Sequence, residues 1–479
     1  MASTSQNKPV QRIGLGVDFG TSNSTAAWYD GEEVHMIRLE EADVIMPTAT
    51  YLDQKLGCLT GAAAVNQYIE DNRDRMVELT PEVVGQASLL VTEANLDDPF
   101  SSPEIASTAV YGLPMNDRGL KGRLFQGIKR LLGKSDIKRL MVFSHAFRLV
   151  ALITPVLLRI RKAIEEQTGP VGDDVHVGYP VRFEGHDENT NSLALSRLRE
   201  ACFHSGYPEP SFYPEPLAAT LSYFHHNPHL NTGHVLTVDF GGGTLDLSVV
   251  HYKGVSFEVL ATKGLPIGGD HIDQMIFSEL LFPLLGKGEV WTRVKDGTRI
   301  SSLFPFEEYE DRLIHWAVTY TLNQSRYRSK ILDCISQGGE AGEKFQRLDD
   351  LITHNYSYLV FQAIKEAKAR LSDAEETILD IPEIDVALPF TRNMLESVIE
   401  GMLVQIREVI VAIISETGLK PEDINLVIRT GGSSLLQAVK RELLDMFPGR
   451  VVEHDPFTSV AAGLAIASFH GYQYEDTSS

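Results

Sequence analysis

The chain has 479 residues, 43% hydrophobic and 23% charged, too many for one ordinary core, so two or more lobes are expected. The 43 Lys and Arg against 65 Asp and Glu give a net charge of −22, which disfavours nucleic acid and anionic membranes as partners. No apolar run approaches the roughly 20 residues of a membrane span, and Cys58, Cys202 and Cys334, far apart and without CxxC spacing, argue against a disulfide framework or structural zinc.

The opening MASTSQNKPVQR has no apolar centre and no cleavage-like pattern, so it predicts a short disordered tail, and the cytoplasm is the expected compartment. Residues 13–28, IGLGVDFGTSNSTAAW, predict a hairpin: strand, tight glycine-rich turn, strand. Residues 71–116, containing LDDPFSSPE and LPMND, read as a long, partly ordered insertion. Residues 121–138 are mildly basic, with Arg123, Lys129, Arg130 and Lys134, but too short to outweigh the acidic remainder. Within them GIKRLLGKS imitates a phosphate-binding P-loop. Five residues rather than four separate its glycines, and the stretch between reads as helix, so the P-loop reading is rejected.

Residues 235–250, VLTVDFGGGTLDLSVV, echo the first hairpin. Asp18 and Asp239 are 221 positions apart, which predicts two related lobes rather than a short-period solenoid. Small residues let backbone N–H groups approach a phosphate chain: Gly20, Thr21, Ser22 and Asn23 in the first turn, Gly241, Gly242, Gly243 and Thr244 in the second. An aspartate at each strand end offers oxygen to hydrated Mg²⁺, which keeps most of its waters. Facing each other, two such turns would pinch a polyphosphate; singly, each is ordinary hairpin chemistry.

Residues 286–358 carry Trp291, Trp316, Phe304, Phe306, Tyr309 and Tyr327 among charges, which predicts a local core, with a partner-docking surface as the sharper alternative. Residues 424–440, INLVIRTGGSSLLQAVK, read as strand, Gly431–Gly432–Ser433 turn and amphipathic helix, able to bring backbone against a nucleoside.

Together, in this order and spacing, the segments resemble the ATPase domain of the DnaK-type heat-shock protein 70 family, within the actin and sugar-kinase superfamily. The resemblance runs from about Gly14 to Gly471 and includes MPTATYLDQKLGCLTGAAAVNQ, LFQGIKRLLGK (similar to the family's lysine-bearing helix), VGYPVRF, YPEPLAATLSYF, PIGGDHID and DPFTSVAAGLA. It implies an α/β, two-lobed actin-like ATPase fold of duplicated ribonuclease-H-like domains with a cleft between the lobes. Lobe I would span 12–230 with an outer insertion at about 46–140. Lobe II would span 231–455 with an outer subdomain at about 266–391, and residues 456–479 would form a helix returning to lobe I and a short tail.

The resemblance also implies ATP or ADP with Mg²⁺ as ligands. Asp18 and Asp239 would hold the metal through water, and Thr21 and Thr244 would touch phosphates. Lys129 falls on the catalytic lysine, Glu215 on the carboxylate near the attacking water, and Asp239 and Thr244 complete the catalytic set. Asp246 follows Thr244 by two residues, as in the family. Gly269 joins the nucleotide-binding set, and Lys368, Ser372, Gly431, Gly432 and Ser433 fall on the adenosine side. The plainer alternatives are a solvated helix cation for Lys129 and a helix N-cap for Glu215. The departures fall on the adenosine side too: Lys365 replaces a glutamate, and Ala369 and Leu435 replace two arginines that pack on adenine. Losing them would remove about 1–2 kcal/mol of cation–π contact.

Only QYEDTSS follows the last matched segment, so the chain resembles the short YegD-like members that lack a peptide-binding domain. The expected function is a slowly hydrolysing, chaperone-like ATP switch read by an unidentified protein partner or client. A superfamily metabolite kinase, an actin-like filament former and a nucleotide binder with little turnover are the alternatives.

Overall fold

In the computed structural model of the chain, the described residues are 12–474, except 78, 81–82, 91–104, 112–115, 118, 144, 171, 173, 185–188, 230–231, 254–255 and 296–297. The predicted N-terminal tail up to residue 11, the LDDPFSSPE run and most of LPMND lie outside them.

The first hairpin is β1 (Gly14–Phe19) against β2 (Asn23–Tyr29), antiparallel, with Asp18 opposite Thr25. Strand β3 (Val34–Met36) continues the antiparallel run. Helix α1 (Leu149–Thr168) leads to β4 (Asp174–Tyr179), which lies parallel to β1. Helix α2 (Thr190–His204) leads to β5 (Glu209–Pro214), parallel to β4, and α3 (Glu215–His226) leaves the sheet. The order across it is β5-β4-β1-β2-β3.

The second sheet repeats this plan. Strands β6 (Thr232–Phe240), β7 (Leu245–Lys253) and β8 (Ser256–Leu265) form an antiparallel meander. Helices α4 (Gly269–Ile276), α5 (Ser357–Arg370) and α6 (Arg392–Glu416) precede β9 (Leu426–Thr430), which is parallel to β6. Helix α7 (Gln437–Met446) then leads to β10 (Val451–Glu453), giving the order β8-β7-β6-β9-β10. In each sheet the central strand begins two successive antiparallel pairings on one side and two successive parallel pairings on the other. This is the duplicated ribonuclease-H-like, two-lobed actin-like ATPase fold, in which strand ends of both sheets carry the site.

The apolar faces explain the packing. Leu15, Val17 and Phe19 meet Leu152, Ile153, Val156 and Ile160 of α1 in one core. A second core joins the sheets: Ala27 and Tyr29 of the first, Val235, Val250 and Ile428 of the second, with α3 and the last helix, α8 (Ser459–His470), packed among them. Residues 459–467 of α8 are buried without exception, as expected for a helix that is apolar all round. Close approach requires glycine: a Cβ on Gly16 would sit 2.3 Å from Ala461 O, and one on Gly463 would sit 1.8 Å from Ala218 O.

The chain divides into two compact units. The first takes in the described residues within Met1–Ile69, Arg123–Pro283 and Tyr358–Ser479 and holds both sheets. The second joins Glu70–Gly122 to Leu284–Ser357. Inside it, Val77 N donates to Asn323 O at 2.7 Å, Asn323 Nδ2 donates to Arg75 O at 3.0 Å, and His354 bonds Asp74. Trp291, Phe304, Phe306, Tyr309 and Tyr327 are buried there, with Phe304 4.5 Å from Phe345 and Tyr309 5.3 Å from Tyr327, so these aromatics form a local core. Trp316 is half-buried.

Candidate functional site

The first unit contains a cleft of about 790 Å³, floored by the ends of β1 and β6. Strand pairing dictates what reaches it. Asp18 and Asp239 each precede the last residue of their strand, and Asp239 sits opposite Asp246 in the β6–β7 ladder. The turns that follow them face one another. A Cβ on Gly242 would meet Ser22 Oγ at 3.0 Å, and one on Gly243 would meet the Thr21 side chain at 3.0 Å. Gly241 N donates to Thr244 O at 3.0 Å and closes the second turn.

Other residues lock the turns together. Ser22 Oγ donates to Asp270 Oδ2 at 2.6 Å, and Arg130 donates to Gly243 O at 3.1 Å. The backbone N–H groups of Gly269 and Asp270, at the start of α4, donate to Gly241 O and Gly242 O at 3.0 and 2.8 Å. Ser433 Oγ donates to Gly241 O at 2.9 Å. Sequence reasoning missed Arg130 and Asp270; only the fold brings them beside glycines more than a hundred and about thirty positions away, respectively.

Lys129 does not lie on a regular α-helix. The LFQGIKRLLGK segment is a strand, Gly122–Gln126, followed by one 3₁₀ turn, Ile128–Leu131. Gly127 before that turn has φ +66°, so the segment reverses there instead of running on as a helix. The turn buries Lys129, whose Nζ donates to Glu215 Oε1 at 2.5 Å. Glu215 is the first residue of α3, after Pro214 at the cap position, so its side chain does not cap the helix. Of the other cations of 121–138 within this unit, Arg130 and Lys134 pair with Glu184, and Arg123 donates to Met141 O.

The floor is electrostatically unbalanced. Asp18 is pushed up to about 7, first by burial, then by the charge of Glu215, with Lys129 pulling the other way. Asp246 is likewise pushed up to about 7 by burial and Glu215, against a hydrogen bond from Thr244. Asp239 is driven well above the usual carboxylate range by burial, Glu215, Asp246 and Asp18. Lys129 is already engaged by Glu215, so the remaining carboxylates call for a further cation. Among the described residues no three acidic, His or Cys side chains converge closely enough to ligate a metal directly. Asp18 and Asp239 are the lining carboxylates at the strand ends that could hold magnesium through its water shell.

The far end of the cleft is lined by Lys368, Ala369, Ser372, Gly431, Gly432 and Leu435. Lys368 Nζ lies 2.6 Å from the buried Asp273 and donates to Gly269 O at 3.0 Å, which pins α5 to α4. Gln437 Nε2 donates to Ser372 O at 2.6 Å. Gly431 has φ +80°, and a Cβ there would strike Phe240 O at 2.4 Å, so the third turn is built around glycine. The structure therefore brings all the predicted site residues to one cleft: Asp18, Gly20, Thr21, Ser22, Asn23, Lys129, Glu215, Asp239, Gly241, Gly242, Gly243, Thr244, Gly269, Lys368, Ser372, Gly431, Gly432 and Ser433. Phe457 also lines it; it lies in the DPFTSVAAGLA segment, but the sequence reading gave it no role.

The fold is of the actin-like ATPase fold class. The Hsp70 protein family model matches residues 212–287 and 344–469. "Chaperone protein DnaK" of Buchnera aphidicola subsp. Schizaphis graminum is 23% identical over 473 residues, 94% of this chain and 58% of that protein. The DnaK of Stenotrophomonas maltophilia is 23% identical over 466 residues, with the same shares. The chain is similar to Hsp70 proteins over these segments, and it spans under two thirds of the length of these relatives. The family match skips 288–343, inside the aromatic-rich 286–358 segment.

Proposed function

We propose that the chain binds magnesium–ATP in this cleft and hydrolyses it slowly, as a chaperone-like conformational switch read by a protein partner or client. The observation that carries the reading is the juxtaposition of the two glycine turns above Asp18 and Asp239, with the buried Lys129–Glu215 pair in the same cleft. Backbone N–H groups of the two turns, with Thr21 and Thr244, would hold the phosphates from both sides. Asp18 and Asp239 would hold magnesium through water, which supplies charge neutralisation at the phosphates.

The protein's own part in the reaction is positioning and electrostatics, because phosphoryl transfer asks for little covalent chemistry. Lys129, oriented by Glu215 Oε1, has further N–H donors for a phosphate oxygen or the attacking water. Glu215 would orient that water. Gly269, Lys368, Ser372, Gly431, Gly432 and Ser433 would surround the nucleoside. The name of the DnaK relatives supports the chaperone-like part of the reading, and the cytoplasm is where we place it.

The test is calorimetric titration with ATP, ADP and GTP plus Mg²⁺, with phosphate release followed in parallel. Binding of ATP and ADP with slow release and no added acceptor is the expected result. Turnover only with an added acceptor would replace the switch by a kinase, and absence of binding would sink the nucleotide reading.

A further inference from the structure

We infer that Phe457 is the base-stacking residue of this cleft, a role that no arginine among the described lining residues fills. The inference rests on the nucleotide reading above and names how the base end of that site works. Ala369 and Leu435 line the far end of the cleft and offer no planar cation. Arg429 is the one arginine among the described lining residues, and it is committed elsewhere. Its guanidinium donates to Ser434 O at 2.5 Å and pairs with Glu453, and the side chain is buried.

Phe457 is 50% exposed while lining the cleft. Its ring edge lies over the third glycine turn: a Cβ on Gly432 would come within 2.8 Å of Phe457 Cε1. The missing side chain at Gly432 therefore leaves the ring room beside the turn. The backbone that carries the ring is pinned. Phe457 N and Thr458 N both donate to Asp455 Oδ1 at 3.2 Å, and Thr430 Oγ1 donates to Asp455 O at 3.1 Å. Pro456 fixes its own φ. A half-exposed aromatic on a pinned loop is pre-organised, so little freedom is lost when a flat ligand lies on it. Aromatic side chains hold nucleobases by their π-faces, and truncation to alanine costs roughly 5- to 150-fold in affinity.

The experiment compares the full chain with Phe457→Ala and Phe457→Trp, using Mg²⁺–ADP and, as a probe without a base, Mg²⁺–tripolyphosphate. Phe457→Ala should weaken ADP by at least about fivefold and leave tripolyphosphate unchanged. Phe457→Trp should bind ADP at least as tightly as the parent, with its indole fluorescence altered by ADP and not by tripolyphosphate. Because Phe457 is half-exposed, both variants should melt like the parent without ligand. Equal ADP affinity in parent and Phe457→Ala would overturn the assignment, as would a parallel loss of both ligands. A parent that binds tripolyphosphate but gains nothing from the base also removes the stacking role while sparing the phosphate turns. A parent that binds neither ligand removes the nucleotide reading, and this inference with it.

Discussion

Lys129 and Asp18 share the floor of the cleft but would act on different steps. Lys129 is buried against Glu215 and has no part in holding the glycine turns together. Lys129→Ala should therefore slow phosphate release by roughly 100-fold or more while nucleotide affinity changes little; equal release by variant and parent would remove Lys129 from the catalytic set. Asp18 works through its charge. A carboxylate whose folded value is about 7, against an ordinary 3.8, holds a proton in the folded chain across a window where the unfolded chain has lost it. Without a divalent cation, its contribution to stability is lost as pH rises from about 4 to about 7. Cation binding selects the ionised form, so Mg²⁺–ADP affinity should climb with pH through about 7 and then level off. Asp18→Asn should weaken affinity and flatten that climb. His454, pushed down to about 4 by burial, contributes a pH dependence of the opposite sign to stability. Titrations of parent and variant side by side cancel that background, and identical slopes would count against Asp18.

At the level of elements, close packing around α8 governs stability. Gly463 lies where a Cβ would collide with Ala218 O of α3 at 1.8 Å, backbone that has no rotamer with which to yield. Gly463→Val should cost several kcal/mol, on the order of the larger core overpacking penalties, and show as a marked drop in melting temperature or in soluble yield. Gly401 is the contrasting case: it lies inside α6, exposed, with nothing near its missing Cβ. Gly401→Ala should stabilise by about 0.5–1 kcal/mol through helix propensity and the unfolded state. A destabilised Gly401→Ala, or a neutral Gly463→Val, would contradict the packing described here.

On the scale of the whole molecule, a ligand that binds only the folded chain must raise its melting point. Mg²⁺–ADP at 100 times its dissociation constant should add about 2.7 kcal/mol, and chelating the metal should remove most of the gain. A melting curve indifferent to Mg²⁺–ADP would mean that the cleft does not hold it. The net charge of −22 sets no such switch; it keeps the surface unfriendly to polyanions and leaves the charge balance of the cleft to local geometry.

Much was legible in the linear chain. Two hairpins with an aspartate before a glycine turn announce a duplicated lobe, because strand alternation and the need for φ or space at glycine are local rules. The third turn was readable for the same reason. Tertiary structure alone decided which groups meet. Arg130 reaches Gly243 and Ser22 reaches Asp270 only because one sheet's turn is set against the other's. The helix expected around Lys129 became a strand and a 3₁₀ turn, since a positive φ at Gly127 and burial of the lysine beside Glu215 prevailed over helical propensity. Phe457 lies in the DPFTSVAAGLA segment, but nothing local gave it a role, since it is a loop residue before a helix; its place beside Gly432 comes from Asp455 and Thr430, partners 25 positions apart. Local turns follow from backbone chemistry that neighbours in sequence carry by themselves. The charge of a buried carboxylate, the partner of a lysine and the neighbours of a ring depend on groups that only packing brings within reach.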